Sequence, residues 1–203
     1  YEIYQCDWSS DVCSSDLGHS VPPHMVNYRA NIWALLDLGV TEVLAVNVVG
    51  GIGLEAGALA VVDDFLDFTK GRPLTFFDGS TPEGVVHTDM TAPYDERMRR
   101  AWIDAAAVLG IPVVPTGIYA AFEGPRFETR AEIRMARAMG ATVVGMTGVP
   151  EVVLAGERGL PYASLCLVAN PAAGLGPEIS VDDVMAEVDR KSTRLNSSHT
   201  DIS

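Results

Sequence analysis

Cysteine is scarce in this 203-residue chain: three residues, two of them in one N-terminal segment, with no spacing for a disulfide framework or a zinc site. No metal is expected, and a reducing cytoplasm is the expected setting. Basic residues are few as well, 14 against 27 acidic ones, for a formal net charge of −13. A phosphate backbone needs a basic face, so no nucleic-acid partner is expected. No uninterrupted apolar run approaches the ~20 residues of a membrane span, which argues against a membrane partner. Residues 1–17 are polar where a signal peptide would be apolar. Several catalytic devices are missing: the Gly-x-Ser-x-Gly elbow, the Gly-x-x-x-x-Gly-Lys-Ser/Thr loop and the His-Glu-x-x-His pair. The glycines of residues 49–57 miss the G-x-G-x-x-G spacing of a dinucleotide loop.

What is present suits one domain with a sizeable core. The two ends, residues 1–17 and 191–203, are Ser-rich, lack periodicity and bury little, so they read as tails. They also resemble translated adapter read-through, and residues 18–190 are taken as a single domain, truncated at both ends. Residues 22–39 form a proline-delimited loop and a helix closed at Gly39, with Tyr28, Ile32, Leu35 and Leu36 as its apolar stripe. Residues 43–49 are apolar except for Asn47, fit for a strand buried on both faces, and Gly50-Gly51 follows. Residues 57–68 read as a strand or strand pair, and 69–93 as a long Gly/Pro-containing loop that holds His87. Helices are expected over 93–110 and 149–159, strands over 111–121, 141–146 and 162–169. Between Thr129 and Gly140 an amphipathic helix is expected, with Met135, Ala136 and Met139 inward. A final helix would open at residues 180–184, with Asp182 and Asp183 in its first turn.

Strands alternating with helices indicate an α/β fold whose mainly parallel sheet is covered on both faces. Three strand ends carry unusual polar content: Asn47 with Gly50-Gly51, Met146-Thr147, and Asn170. Such ends, beside a helix N-terminus, are where an open α/β sheet places a ligand. The competing reading makes Phe127 and Met146 core, Thr147 an N-cap and His87 a solvated loop residue. If the ends converge, hydroxyl, amide and backbone donors beside one aromatic platform can hold an anion and a flat heterocycle.

These residues also carry a resemblance. Residues 26–35 (VNYRANIWAL), 123–129 (EGPRFET), 145–151 (GMTGVPE) and 162–164 (YAS) look like the methylthioadenosine phosphorylase branch of the purine nucleoside phosphorylases. The resemblance implies a three-layer α/β/α sandwich, a homotrimer with sites at subunit interfaces, and phosphorolysis with inorganic phosphate as co-substrate and no cofactor. It implies that Thr147 binds phosphate, helped by Asn47 and Val48. Met146 would touch the ribose through its backbone, Phe127 would pack on the base, and His87 would reach a neighbouring subunit's sugar pocket. The family's glycine-rich phosphate loop and its Arg-His clamp precede His19 in family order and are not in this chain.

Three positions bear on substrate. Glu128 can accept the N1–H of a 6-oxopurine, whereas adenine offers only a lone pair there. Asn170 stands where adenine-selective relatives resemble one another in having Asp, and it can accept from N7 and donate to O6 as the catalytic amide. Ala172 replaces a second family Asp. Val181 and Val184 match the apolar pocket for a 5′-methylthio group, where relatives using ordinary nucleosides have His. The resemblance therefore implies S-methyl-5′-thioinosine as substrate. The alternatives are an inosine/guanosine or methylthioadenosine phosphorylase, a nucleoside hydrolase, or a non-catalytic purine-binding module.

Overall fold

The computed structural model describes residues 3–4 and 21–177, and its frame is one seven-stranded mixed sheet. In chain order the strands are β1 (Ile3–Tyr4), β2 (Val43–Gly51), β3 (Leu59–Val61), β4 (Asp64–Phe68), β5 (Ile118–Phe122), β6 (Val143–Gly145) and β7 (Tyr162–Pro171). The helices are α1 (Tyr28–Asp37), α2 (Glu96–Val108), α3 (Arg130–Ala138) and α4 (Gly148–Glu157). The sheet order is β3-β7-β2-β6-β5-β4. One edge of β2 is taken along its length by β7; the other is shared by β1, at Leu44 and Ala45, and β6, at Gly50 and Gly51. Four pairings are parallel, while β2·β6 and β3·β7 are antiparallel.

Alternation along the strands divides the core between two faces. Tyr119 and Ala121 of β5 and Val143 of β6 join Ile32 of α1 and Val149 and Val152 of α4. Their neighbours Ala120, Phe122 and Val144 join Ile133 and Ala136 of α3. The sheet is thus sandwiched between α1 and α4 on one side and α3 on the other, the expected three layers.

Local departures have local causes. The strand expected over 111–121 begins only at Ile118, with Val114 contributing an isolated bridge to Ala60. Pro112 and Pro115 have no N–H to give a ladder. The 57–68 segment splits into β3 and β4, which join different neighbours, and Asp63 marks the break by accepting the Gly117 N–H at 2.9 Å. Helix α3 starts after Thr129, which closes a reciprocal capping box with Glu132. Its inward face is Ile133 and Ala136; Met135 and Met139, expected inside, are 43% and 50% exposed. Ile133 sets that face: Met135 lies about 200° around the helix from it, and Met139 is already the C-cap. The helix expected at 180–184 lies outside the described residues.

Candidate active site

The short antiparallel strand β6 decides where the site forms. Gly50 pairs with Val144 and Gly51 with Val143, so β6 runs back alongside β2. Met146 and Thr147 therefore come beside Val48 and Asn47 instead of lying beyond the end of β2. On the far side of β2, the β2·β7 register slips between Val49 and Gly50, so that Val49 faces Val168 and Gly50 faces Asn170. Such a bulge re-aims the side chains that follow it. The result is a narrow cleft, partly open to solvent. It is lined from β2 by Val48, Val49 and Gly50, and from β6 and its exit by Val144, Gly145 and Met146. Asn170, Ala172, Phe127 and Glu128 complete it.

One end of this cleft suits an anion. Thr147 is the N-cap of α4, yet its side chain makes no capping hydrogen bond. Its hydroxyl instead donates to the Asn47 Oδ1 over 3.5 Å, beside the helix N-terminus, where N–H groups favour negative charge. Asn47 is 1% exposed, and its Nδ2 donates to Ser164 Oγ at 2.7 Å. The polar interruption of β2 thus finds its partners on β7 and on the loop into α4. The reading of Thr147 as a mere N-cap is met only in position.

The other end suits a flat ring with polar edges. Glu128 is 8% exposed and lies beside half-buried Phe127. Burial raises the Glu128 pKa, with its own backbone N–H opposing that and the Glu132 charge adding to it. A donor on a ligand would favour its ionised form. Asn170 donates one N–H to the Pro171 carbonyl at 2.7 Å. A primary amide has a second N–H and an oxygen, which remain for a ligand. Ala172, 1% exposed, closes the wall.

Of the residues singled out from the sequence, Val48, Phe127, Glu128, Met146, Asn170 and Ala172 line the cleft, and Asn47 and Thr147 adjoin it. His87 is exposed on the loop between β4 and α2, away from the cleft lining of its own chain. Val181 and Val184 lie outside the described residues. Two residues beside the cleft were passed over. Arg72 has a side chain with 0% exposure and donates to the Met146 carbonyl at 2.6 Å. Tyr119 accepts the N–H groups of Thr147 and Gly148, each at 3.4 Å. A lone Arg in a Gly/Pro loop has no periodicity to mark it, and Tyr119 reads as one more strand apolar. Among the described residues, no three His, Cys, Asp or Glu side chains gather as a metal's ligand set.

A family model described as the phosphorylase superfamily matches residues 3–199. A probable S-methyl-5'-thioinosine phosphorylase of Methanothermobacter thermautotrophicus is 50% identical over 181 residues, 88% of this chain and 61% of that protein. A probable 6-oxopurine nucleoside phosphorylase of Moorella thermoacetica is 51% identical over 180 residues, 87% of this chain and 69% of that protein. Among solved structures, methylthioadenosine phosphorylase from Schistosoma mansoni in complex with adenine superposes with a TM-score of 0.84 at 37% identity, covering 90% of this chain and 71% of that one. The chain thus spans about three fifths to seven tenths of the length of these relatives.

Proposed function

Because this chain belongs to the phosphorylase superfamily, we propose that it serves the phosphorolysis of purine nucleosides. A phosphate oxygen bonds to the anomeric carbon as the bond from that carbon to the base nitrogen breaks. A pentose 1-phosphate and the free base leave, the base taking up a proton. The observation that carries this reading is the single cleft in which Val48, Phe127, Glu128, Met146 and Asn170 meet, with Thr147 and Asn47 at its edge. Thr147 with the Asn47-Val48 segment binds phosphate, the Met146 backbone meets the ribose, and Phe127 packs on the base.

The base is a 6-oxopurine. Its N1–H matches the Glu128 carboxylate, and an unpaired buried acceptor against adenine would cost ~1–3 kcal/mol. Asn170 stabilises the charge that builds on the departing ring, an interaction stronger in the transition state than in the ground state. Val181 and Val184 receive a 5′-methylthio group, where burial contributes ~1 kcal/mol by area. S-methyl-5′-thioinosine is then the preferred substrate, in line with the name of the 50% identical archaeal relative. The protein acts in the cytoplasm as a homotrimer in which His87 reaches a neighbouring subunit's sugar pocket. A second reading, methylthioadenosine phosphorolysis, is favoured by the adenine-bound Schistosoma neighbour, and Asn170 and Ala172 speak against it.

Base release from methylthioinosine, inosine and methylthioadenosine, each with and without phosphate, tests the proposal. Release should require phosphate, with kcat/KM for methylthioinosine at least about tenfold above that for methylthioadenosine, the scale of 1.4 kcal/mol. A preference for methylthioadenosine would select the second reading. Release that ignores phosphate would point to a hydrolase.

A further inference from the structure

The peptide between Met146 and Thr147 joins the cleft wall to the N-terminus of α4, and it is gripped from both sides. We infer that Arg72 and Tyr119 are positioning residues that hold this peptide in one orientation and thereby present Thr147 to the anion end of the cleft. The β5·β6 ladder ends at Ala121 and Gly145. One residue further on, where Phe122 and Met146 would continue it, the Arg72 guanidinium stands across the gap instead. Its Nη1 donates to the Met146 carbonyl at 2.6 Å, and its Nη2 donates to the carbonyls of Glu123 at 2.5 Å and Phe122 at 3.3 Å. Its Nε lies 3.3 Å from Glu123 Oε2, an ion pair whose geometry is not that of a hydrogen bond.

On the other side of the same peptide, the Tyr119 oxygen accepts from the Thr147 and Gly148 N–H groups. A trans peptide points its carbonyl and N–H in opposite directions. With the carbonyl held by a guanidinium and the N–H by a phenol, its plane cannot swing without breaking a bond on each side. Gly145 makes the approach possible, since a Cβ there would sit 2.1 Å from the Tyr119 oxygen. Only a planar fork serves two strand ends at once; a lysine ammonium is a point donor. Thr147 then meets Asn47, itself tied to Ser164, so the hydroxyl's place is set by three elements.

This inference rests on the phosphorolysis reading only for the identity of the anion. Tyr119→Phe keeps the ring and removes the acceptor; Arg72→Lys keeps the charge and removes the fork. In both, inorganic phosphate and guanine affinities are read by calorimetry, and exchange of the Thr147 and Gly148 amides by hydrogen–deuterium exchange. Tyr119→Phe should weaken phosphate about fivefold, the size of one lost hydrogen bond, leave guanine affinity unchanged and speed exchange at both amides. Arg72→Lys should act in the same direction. Unaltered phosphate affinity, or equal losses for phosphate and guanine, overturns the inference. If wild-type protein releases no base with phosphate and binds none, the phosphorolysis reading fails instead. Amide exchange then decides the clamp alone: faster exchange in Tyr119→Phe upholds it, and unaltered exchange removes it.

Discussion

Glu151 sits one turn into α4 with 0% exposure, and the Tyr162 hydroxyl donates to its carboxylate at 2.9 Å. Burial pushes its pKa from 4.5 up to about 7, against the opposing pull of that hydrogen bond. The unfolded chain loses this proton near pH 4.5, whereas the folded protein keeps it to about pH 7. Between those values the native state holds a proton that the unfolded state has released, so stability falls as pH rises and levels off above about 7. A rise of that size is worth ~3 kcal/mol at one carboxyl. Glu151→Gln keeps an acceptor for Tyr162 and cannot titrate. Its stability relative to wild type should therefore rise from pH 5 to pH 8, measured by urea unfolding at each pH. A wild-type-minus-variant difference that stays flat over this range would refute the assignment.

At the scale of elements, α3 matters because its N-terminus anchors the Phe127-Glu128 wall. Thr129 Oγ1 accepts from the Glu132 N–H at 3.2 Å, and Glu132 returns the bond to the Thr129 N–H at 2.7 Å. Arg126 joins through both carboxylate oxygens, which holds Glu132 well below the usual carboxylate range, at about 2. Thr129→Ala should lower stability by ~1 kcal/mol, read as a fall in Tm of about 2–4 °C for a domain of this size. Guanine affinity should fall with it, because Glu128 loses its support. An unchanged Tm would show that the cap contributes nothing. A second element-scale device fastens the long loop after β4. The Arg158 guanidinium lies 4.7–4.9 Å from the ring centroids of Trp33, Phe76 and Phe77, and Phe76 N–H donates to Glu157.

At the scale of the molecule, apolar side chains remain uncovered at the ends of α1 and α2 and on the loop that holds His87. Leu38, Val108, Leu109 and Val85 are each more than half exposed. The homotrimer proposed above would cover some of these side chains. Sedimentation equilibrium should therefore return a mass of about 65 kDa, three times the 21.7 kDa chain. A mass of one chain would leave His87 with no neighbouring pocket to reach. With a net charge of −13, assembly should be favoured by moderate salt, which screens like charges. No helix among the described residues is long and apolar enough to cross a membrane.

The sequence by itself determined what depends on neighbours along the chain. The alternation of elements, the start of a helix near Thr129, its stop at Gly140 and the polar break at Asn47 were all legible there, because helix-end signals, left-handed glycine and burial periodicity are local. The cleft residues were legible as strand-end polar groups and through a family resemblance. Only the tertiary structure decided that β6 runs antiparallel to β2, that the β7 register slips before Asn170, and that Arg72 reaches Met146. Those facts depend on pairings between residues as far as 120 positions apart, such as Gly50 with Asn170. Local patterns carry no direction or register across such distances; packing of the whole sheet sets both.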